Sequence, residues 1–384
     1  MRAIELFSCA GGMAMGFARA GIRFDCSFDR DENACESYAG NLGHRPIRID
    51  VHDLLRLVRA GWRPADDLDL IVADPPCTPW SRAGKRAGLK DARDMLRPTV
   101  ELIRLLEPRA YLIGNIPGLQ DASSWPAVQD VLAELAGAYC VLDYAVFDCA
   151  DFGVPQHRIR PFWFGHRGGR CIRWPEPTHR DPRLPVLAFD RRKPWVNCRD
   201  ALADVPVQEI GTPIKLRWKR LDNPKHHRPS KPSSPCATIT TNPNTDGALV
   251  AMCVSAKHPA SRPDEPAYTI TARDRGGTNG GSLLEWPWDR PATSVTTRDA
   301  LGAPGHHEHS EQFGPNAVKL SERAATLIQG FPDGTRFAGK TKKARWAQLG
   351  QAMPPPMAEA VAKSIVEWFE RAQDGDTRRA AHER

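Results

Sequence analysis

One cysteine stands out in this sequence because the chain around it is stiffened by proline. Cys77 lies in the stretch IVADPPCTPWS, residues 71–81, with two prolines directly before it and a third two residues later. Each proline fixes φ and removes an amide donor, so the backbone holds the sulfur in one place. A thiolate held in this way suits nucleophilic attack and a transient covalent bond. A thiol that merely packs in the interior is the alternative, but it would not need this rigidity.

A second set of residues suits the binding of a nucleoside. The stretch LFSCAGGMAMGF, residues 6–17, has the pattern of a strand, a turn of small residues with Gly11 and Gly12, and a helix. Such a turn lets backbone amides approach a ligand closely. Asp29 and Asp50 end the next two predicted strands, where a carboxylate can accept hydrogen bonds from a ribose or an adenine amino group. Each acid alone is more often a helix cap, but together these features favour a nucleoside cofactor.

The elements that must position these residues alternate along the first 165 residues. Short apolar runs typical of strands are separated by helical patterns, such as the one at 95–107. The predicted strands are AIELF at 3–7, RFDCSFD at 23–29, RPIRID at 45–50, DLIVAD at 69–74 and AYLIGN at 110–115. This alternation predicts an α/β fold with a parallel sheet wrapped by helices. Cys77 and both acids would then lie at the carboxyl edge of the sheet, where such folds bind ligands.

The composition changes after residue 165. Between residues 167 and 231 the chain carries 16 Lys and Arg against 7 Asp and Glu, and the helical period gives way to proline and tryptophan. A basic surface of this kind suits a polyanion, with ordinary solvated charge as the alternative. A strong helical pattern returns in AEAVAKSIVEWFERA at 358–372. We therefore expect two lobes in this chain of 384 residues, with a boundary near Arg167.

Several classes of protein are disfavoured by composition. The sequence has neither an apolar run of about 18 residues nor a charged start followed by a long apolar run, so we expect a cytosolic protein without a membrane partner. The ten cysteines include no Cys-x-x-Cys pair, which argues against a zinc ribbon and a disulfide scaffold. The histidines of GHHEHS, residues 305–310, lack ligand spacing, and we expect no metal.

Six blocks of the sequence share their order and spacing with one known family. They are LFSCAGGMAMGF, DPPCTPWS, NIPGL, FGVPQHRIRPFWFG, LIQGFPDG and LGQAMPPPMAEAVAKSI. This set resembles the DNA cytosine-5 methyltransferases over nearly the whole chain outside its middle. The resemblance implies a Rossmann-like class I methyltransferase domain at 1–166 and a smaller, β-rich target-recognition domain at 167–315. It also implies that the segment at 316–384 returns to the catalytic domain.

The resemblance implies both a reaction and its partners. In that family the Pro-Pro-Cys thiolate adds to C6 of a cytosine flipped out of the duplex, and C5 then accepts a methyl group from S-adenosyl-L-methionine. Cys77 is thus the implied nucleophile, with Asn115, Arg158 and Arg160 as further catalytic residues. The two arginines would support the base pocket on the O2 side of the cytosine. We expect double-stranded DNA as the partner and a monomeric protein.

The resemblance also implies a binding site for S-adenosyl-L-methionine. Phe7 would pack against the adenine, Asp29 would hold the ribose, and the glycine turn would surround the methionine part. The implied residues are Phe7, Ser8, Gly11, Gly12, Asp29, Asp50, Val51, Pro75, Leu96, Gln351 and Ala352.

Contacts with DNA are expected from two regions. Residues 82–96 resemble the mobile loop that closes over the flipped base, and the Lys and Arg of the middle lobe would fix its register on phosphates. The candidates are Ser81, Arg82, Lys85, Arg93, Arg217, Lys219, Arg220, Arg273 and Arg275. Ordinary surface charge is the alternative for each.

Two positions depart from the family pattern. Gly114 stands where the family has Glu, so the carboxyl group that holds N3 and the amino group of cytosine is missing, and losing such an acid costs about 10²- to 10⁴-fold in rate. One explanation is that another side chain or a water takes its place. Alternatively, the enzyme is slow or altered in its substrate, or catalysis is lost and DNA binding remains.

Gln351 is the second departure, because the family has Asn at this position beside the sulfonium. The longer amide side chain is either neutral or accommodates an altered methyl donor.

The principal interpretation is therefore a DNA cytosine-5 methyltransferase. The alternatives are the same scaffold with a modified donor or with a tRNA cytosine as substrate, and a catalytically impaired DNA-binding protein. The long basic middle lobe argues against tRNA, because reading a duplex needs a larger recognition lobe.

Overall fold

The structure is a computed structural model that describes most of the chain outside its middle. The described residues are 1–76, 89, 91, 93–116, 119, 124–139, 141–168, 171–186, 189–206, 209, 211–213, 283–284, 292–293 and 318–382.

A seven-stranded sheet forms the centre of the fold. Strands β1 to β8 are Ala3–Leu6, Cys26–Asp29, Ile47–Arg48, Leu70–Ala73, Ala110–Gly114, Val141–Asp148, Gln156–His157 and Ile159–His166. All of them except β7 belong to this sheet, in the order β3-β2-β1-β4-β5-β8-β6. The first five strands are parallel, and β8 runs antiparallel to both of its neighbours. The predicted α/β fold class is confirmed.

The strands predicted from the sequence form the parallel part of the sheet. All five are present, whereas β6 and β8 were not predicted. Pro161 lies inside β8, and a proline within a run normally argues against a strand. It is tolerated because the pairing of β8 with β5 ends at Phe162, opposite Gly114, so Pro161 lies beyond it. Pro161 pairs with Val146 of β6, and on the side of β5 its carbonyl oxygen accepts a hydrogen bond of 3.1 Å from the amide of Asn115.

Helices flank the sheet. Helices α1 to α9 are Gly12–Arg19, Glu32–Leu42, Val51–Arg59, Leu96–Leu106, Trp125–Ala133, Cys198–Ala201, Glu322–Ile328, Lys342–Gln351 and Pro355–His382. The fourth confirms the helical pattern at 95–107 to within one residue at each end, and the last contains the predicted helix at 358–372. Among the described residues, no helix is both long enough and apolar enough to cross a membrane.

The central strands β1, β4 and β5 bury both of their faces. Along β4, Leu70 and Val72 join an apolar cluster with α1 and α9, while Ile71 and Ala73 join a second cluster with α3, α4 and α5. Successive side chains of a strand point to opposite faces, so a strand covered on both sides is apolar throughout. This explains the continuous apolar runs in the sequence.

The described parts of the region after residue 167 contain several short strands. Strands β9 to β14 are His179–Arg180, Lys193–Pro194, Gly211–Pro213, Leu283–Leu284, Ala292–Thr293 and Val318–Leu320. β9 pairs with β10, β14 lies between β11 and β12, and β13 pairs with β7. The domain boundaries at 166 and 315 stay a prediction.

Helix α9 packs closely on α1 near Gly16. A Cβ atom at Gly16 would lie 2.5 Å from both the Cβ of Ala358 and the carbonyl oxygen of Pro355, and 2.6 Å from the amide nitrogen of Glu359. Only glycine allows this approach, which returns the end of the chain to its beginning.

We expect Gly16→Ala to lower the free energy of unfolding by about 1–3 kcal/mol, because the added methyl group overlaps the backbone of α9. Urea unfolding measures the change. Gly40→Ala in α2 is the matched control, since nothing lies within 4 Å of the added atom. It should be neutral or stabilising by about 0.5–1 kcal/mol. Equal stability of the Gly16 variant and the unaltered protein would refute the close packing.

Candidate active site

A cleft opens at the carboxyl ends of β1, β2, β4 and β5. Its walls come from the turn after β1, the start of α3, the prolines after β4, and the residues directly after β5. Two arginines around the start of β8 and the residues Gly350, Gln351 and Met353 complete them. Neighbouring parallel strands end at the same edge of a sheet, so segments far apart in sequence meet there.

Most of the described residues expected at the site line this cleft. They are Phe7, Ser8, Gly12, Asp29, Asp50, Val51, Pro75, Asn115, Arg158, Arg160 and Gln351. Three expected cofactor residues lie behind its surface. Gly11 is a buried turn residue with φ 89°, while Leu96 and Ala352 are buried in apolar clusters.

The remaining expected residues cannot be placed in the cleft. Cys77, Ser81, Arg82, Lys85, Arg217, Lys219, Arg220, Arg273 and Arg275 lie outside the described residues. Arg93 is described; its guanidinium is exposed and donates hydrogen bonds of 2.9 and 2.7 Å to the Asp91 carboxylate.

The turn after β1 has an unusual backbone. Phe7 and Cys9 have φ values of 60° and 48°, a region that costs a side-chain-bearing residue about 1–3 kcal/mol. The turn is held by the amide of Ser8, which donates to Phe28 O at 3.0 Å, and by the amide of Cys9, which donates to Asp29 Oδ2 at 2.8 Å. The buried Ser8 hydroxyl has no hydrogen-bond partner among the described residues. Such strain is typical of a turn shaped for a ligand.

The two acids at the strand ends accept hydrogen bonds from the backbone and also line the cleft. Asp29 accepts hydrogen bonds from the amides of Cys9 and Asp31, both at 2.8 Å. Burial raises its pKa, and these amides oppose the shift. Asp50 caps α3 by accepting from the amide of His52 at 2.9 Å. Asp50 is therefore a helix cap, as the alternative interpretation stated, and it also lines the cleft.

Asn115 joins the end of β5 to the prolines before Cys77. Its side-chain amide donates to the carbonyl oxygen of Pro75 at 3.1 Å, and its own carbonyl oxygen accepts from the amide of Ile116 at 2.9 Å. Asn115 is only 2% exposed. It thus fixes the backbone two residues before the expected nucleophile.

The two arginines connect the cleft to the C-terminal segment. Arg158 donates to the carbonyl oxygens of Gly350 at 2.9 Å and Ala352 at 3.2 Å. Arg160 donates to Ile159 O at 2.9 Å. Both guanidinium groups are almost fully buried, so their charges act in a medium of low polarity.

Sequence interpretation missed two acids in this cleft, Glu5 and Asp74. Burial raises the pKa of Glu5 to about 8, although the Ser27 hydroxyl donates to it at 3.0 Å. Burial also raises the pKa of Asp74, and the charges of Arg160 and Arg158 oppose the shift. An acid inside an apolar strand was the available signal for Glu5, and an acid directly before the Pro-Pro pair was the signal for Asp74.

Comparison with known proteins identifies the family. The model of the C-5 cytosine-specific DNA methylases matches residues 1–367. The chain belongs to this family. The methylase is therefore a DNA cytosine-5 methyltransferase, as the resemblance implied, and the family uses S-adenosylmethionine as its methyl donor.

Several relatives and solved structures resemble this methylase. The type II methyltransferase M.NgoFVII of Neisseria gonorrhoeae is 27% identical over 373 residues, which cover 95% of this chain and 86% of the relative. M.AquIA of Picosynechococcus is 32% identical over 244 residues, 58% of this chain and 97% of the relative. The Dnmt2 methyltransferase of S. pombe has the same fold, with a TM-score of 0.54 and 16% identity over 96% of this chain and 99% of that one.

We expect Asn115→Asp to lower kcat about tenfold, because a carboxylate cannot donate to Pro75 O and one lost hydrogen bond costs about 1–2 kcal/mol. Steady-state methylation of DNA measures the effect. Asn41→Asp is the matched control, since it removes a similar donation, to Arg336 O at 2.9 Å, away from the cleft. Equal loss of rate in both variants would contradict a positioning role for Asn115.

We expect Glu5→Gln to flatten the pH dependence of stability between pH 5 and 8. Folded Glu5 keeps its proton up to about pH 8, whereas the unfolded chain releases it near 4.5. The unfolded state thus binds fewer protons in this window, and stability falls as pH rises, by up to about 1.4 kcal/mol per pH unit.

Urea unfolding at several pH values between 5 and 8 tests this expectation. The exposed Glu36→Gln controls for the change in net charge. An unchanged slope in the Glu5 variant would show that Glu5 is ionised in the folded protein.

Proposed function

We propose that this methylase binds S-adenosyl-L-methionine in the cleft and methylates C5 of a cytosine flipped out of duplex DNA, with Cys77 as the covalent nucleophile. The supporting observation is that one cleft combines the residues suited to a nucleoside with Pro75 and Pro76, the residues directly before Cys77.

The cleft residues fit the proposed cofactor. Phe7, Ile49 and Val51 offer apolar surface for an adenine, and Asp29 and Asp50 offer carboxylate oxygens for hydroxyl and amino groups. The Ser8 hydroxyl, buried and without a partner among the described residues, can hydrogen-bond to a ligand. When bound, the cofactor supplies an electrophilic methyl group on a sulfonium.

The protein's task is to make an aromatic carbon nucleophilic. The Cys77 thiolate forms a bond to C6, and the electron pair of the C5–C6 double bond moves to C5, which can then accept a methyl group. Loss of the C5 proton to solvent and departure of the thiolate restore the ring. The prolines and Asn115 hold the sulfur for this approach, and the arginines place positive charge beside a base that gains electron density.

The proposed substrate is duplex DNA rather than tRNA. The basic stretch at 167–231 supports a polyanion partner, and its length suits recognition of a duplex. A monomer suffices for this reaction, because every proposed catalytic group comes from one chain. The target sequence would be read by side chains of the middle lobe.

We expect duplex DNA incubated with the methylase and S-adenosylmethionine to contain 5-methylcytosine, and Cys77→Ala to lower its formation on the order of 10³-fold or more. Mass spectrometry of the nucleosides measures the product. Duplex DNA with 5-fluorocytosine should form a denaturant-stable adduct with the unaltered protein and none with Cys77→Ala.

The substrate and donor are tested by parallel reactions. A tRNA reaction should yield no product. The variants Cys149→Ala and Cys198→Ala control for the loss of a thiol, because they remove buried thiols outside the cleft. DNA binding without adduct or product would support the impaired DNA-binding protein instead. An adduct without 5-methylcytosine would point to an altered donor.

A further inference from the structure

The space beside Gly114 is bordered by a carboxyl group from the neighbouring strand. A Cβ atom at Gly114 would lie 3.6 Å from Oδ1 of Asp74 and 3.2 Å from the Phe162 ring. The parallel register explains the approach: Ala73 of β4 pairs with Ile113 of β5, and the next residues along the two strands are Asp74 and Gly114. Adjacent strands are about 4.8 Å apart, which a short acidic side chain can bridge.

The hydrogen bonding of Asp74 differs from that of Glu5 and Asp29, two other acids of the cleft. Among the described residues, no amide or side chain donates a hydrogen bond to its carboxyl group. Glu5 is occupied by the Ser27 hydroxyl, and Asp29 accepts from two backbone amides. Asp74 lines the cleft together with Asn115 and is only partly shielded from solvent, so its oxygens are available to a bound base.

We propose that Asp74 is a catalytic residue that holds the N3 and 4-amino edge of the target cytosine, taking the place of the acid missing at Gly114. The assignment rests on the proposed function of the cleft. The carboxyl oxygen thus comes from the end of β4, directly before the two prolines that lead to Cys77, and not from the end of β5.

The chemistry requires a proton on this carboxyl group. The O–H of Asp74 donates to N3, and its other oxygen accepts from the 4-amino group. When the Cys77 thiolate bonds to C6, the C5–C6 electron pair moves to C5 and spreads through C4 to N3, which takes up the proton. After C5 has accepted the methyl group and lost its proton to solvent, the electron pair of that C–H bond re-forms the C5–C6 double bond. The thiolate then leaves with the electron pair of the C6–S bond, and the proton on N3 returns to Asp74.

The surroundings of Asp74 are consistent with both states of its carboxyl group. Burial raises its pKa and favours the protonated form, while Arg160 and Arg158 stabilise the carboxylate left after proton transfer. Burial is the main cause of the raised pKa of Glu5, and the charges of Asp29 and Asp74 raise that pKa further, so Glu5 and Asp74 do not both ionise readily.

Asp74→Asn and Asp74→Ala are expected to lower kcat by about 10²- to 10⁴-fold, with little change in the KM for S-adenosylmethionine. Release of tritium from [5-³H]cytosine DNA, which reports the addition to C6, should fall in parallel. Asp66→Asn is the matched control, because it removes an exposed carboxyl group in the loop before β4. Thermal unfolding checks that the variants fold.

Relocation of the carboxyl group gives the sharper test. Gly114→Glu alone should lower activity, because it puts two carboxyl groups together and crowds Phe162. In Asp74→Gly, the further change Gly114→Glu should recover activity at least about tenfold, since the acid then reaches the base from β5.

Two outcomes would overturn the assignment. One is an Asp74→Asn variant with more than half of the normal kcat, and the other is Gly114→Glu raising activity equally with and without Asp74. Either result would leave the proposed function intact as long as Cys77→Ala still abolishes the 5-fluorocytosine adduct. Absence of an adduct with the unaltered protein would instead count against the proposed function.

Discussion

The cleft depends on a close backbone contact between the two ends of the chain. A Cβ atom at Gly12 would lie 2.1 Å from the carbonyl oxygen of Met353, so only glycine permits the C-terminal segment to pass there. On its other side this segment is held by Arg158, which binds the carbonyl oxygens of Gly350 and Ala352. Without this contact, one wall of the cleft would have no fixed position relative to the turn after β1.

Burial controls the charges inside the cleft. Glu5, Asp29 and Asp74 all have raised pKa values, mainly because their partial or complete burial disfavours the charged carboxylate. The two buried arginines supply the opposite charge near the same place. A proton-bearing carboxyl group and a positive charge can therefore face one neutral base, a combination that bulk water would screen. The proposed activation of cytosine uses this combination.

Much of the fold was accessible from the sequence. Apolar runs separated by a helical period predicted the five parallel strands and α4, because a strand buried on both faces is apolar throughout. The glycine turn, Asp29 and Asp50 were recognised because they follow such runs. The antiparallel strand β8 was missed because Pro161 argues against a strand unless the end of its neighbour is known. Leu96 and Ala352 were expected at the cofactor, but whether a side chain faces a cleft or a core depends on packing.

The sequence by itself determined the family, the reaction and the expected nucleophile, because ordered motifs of reactive and small residues are local properties of the chain. It also revealed that an acid is missing at Gly114. Only the tertiary structure decided which group borders that space, since Asp74 lies 40 positions earlier in the sequence. The register between β4 and β5 brings the two residues together, and the register of a strand pair cannot be derived from the sequence of either strand alone.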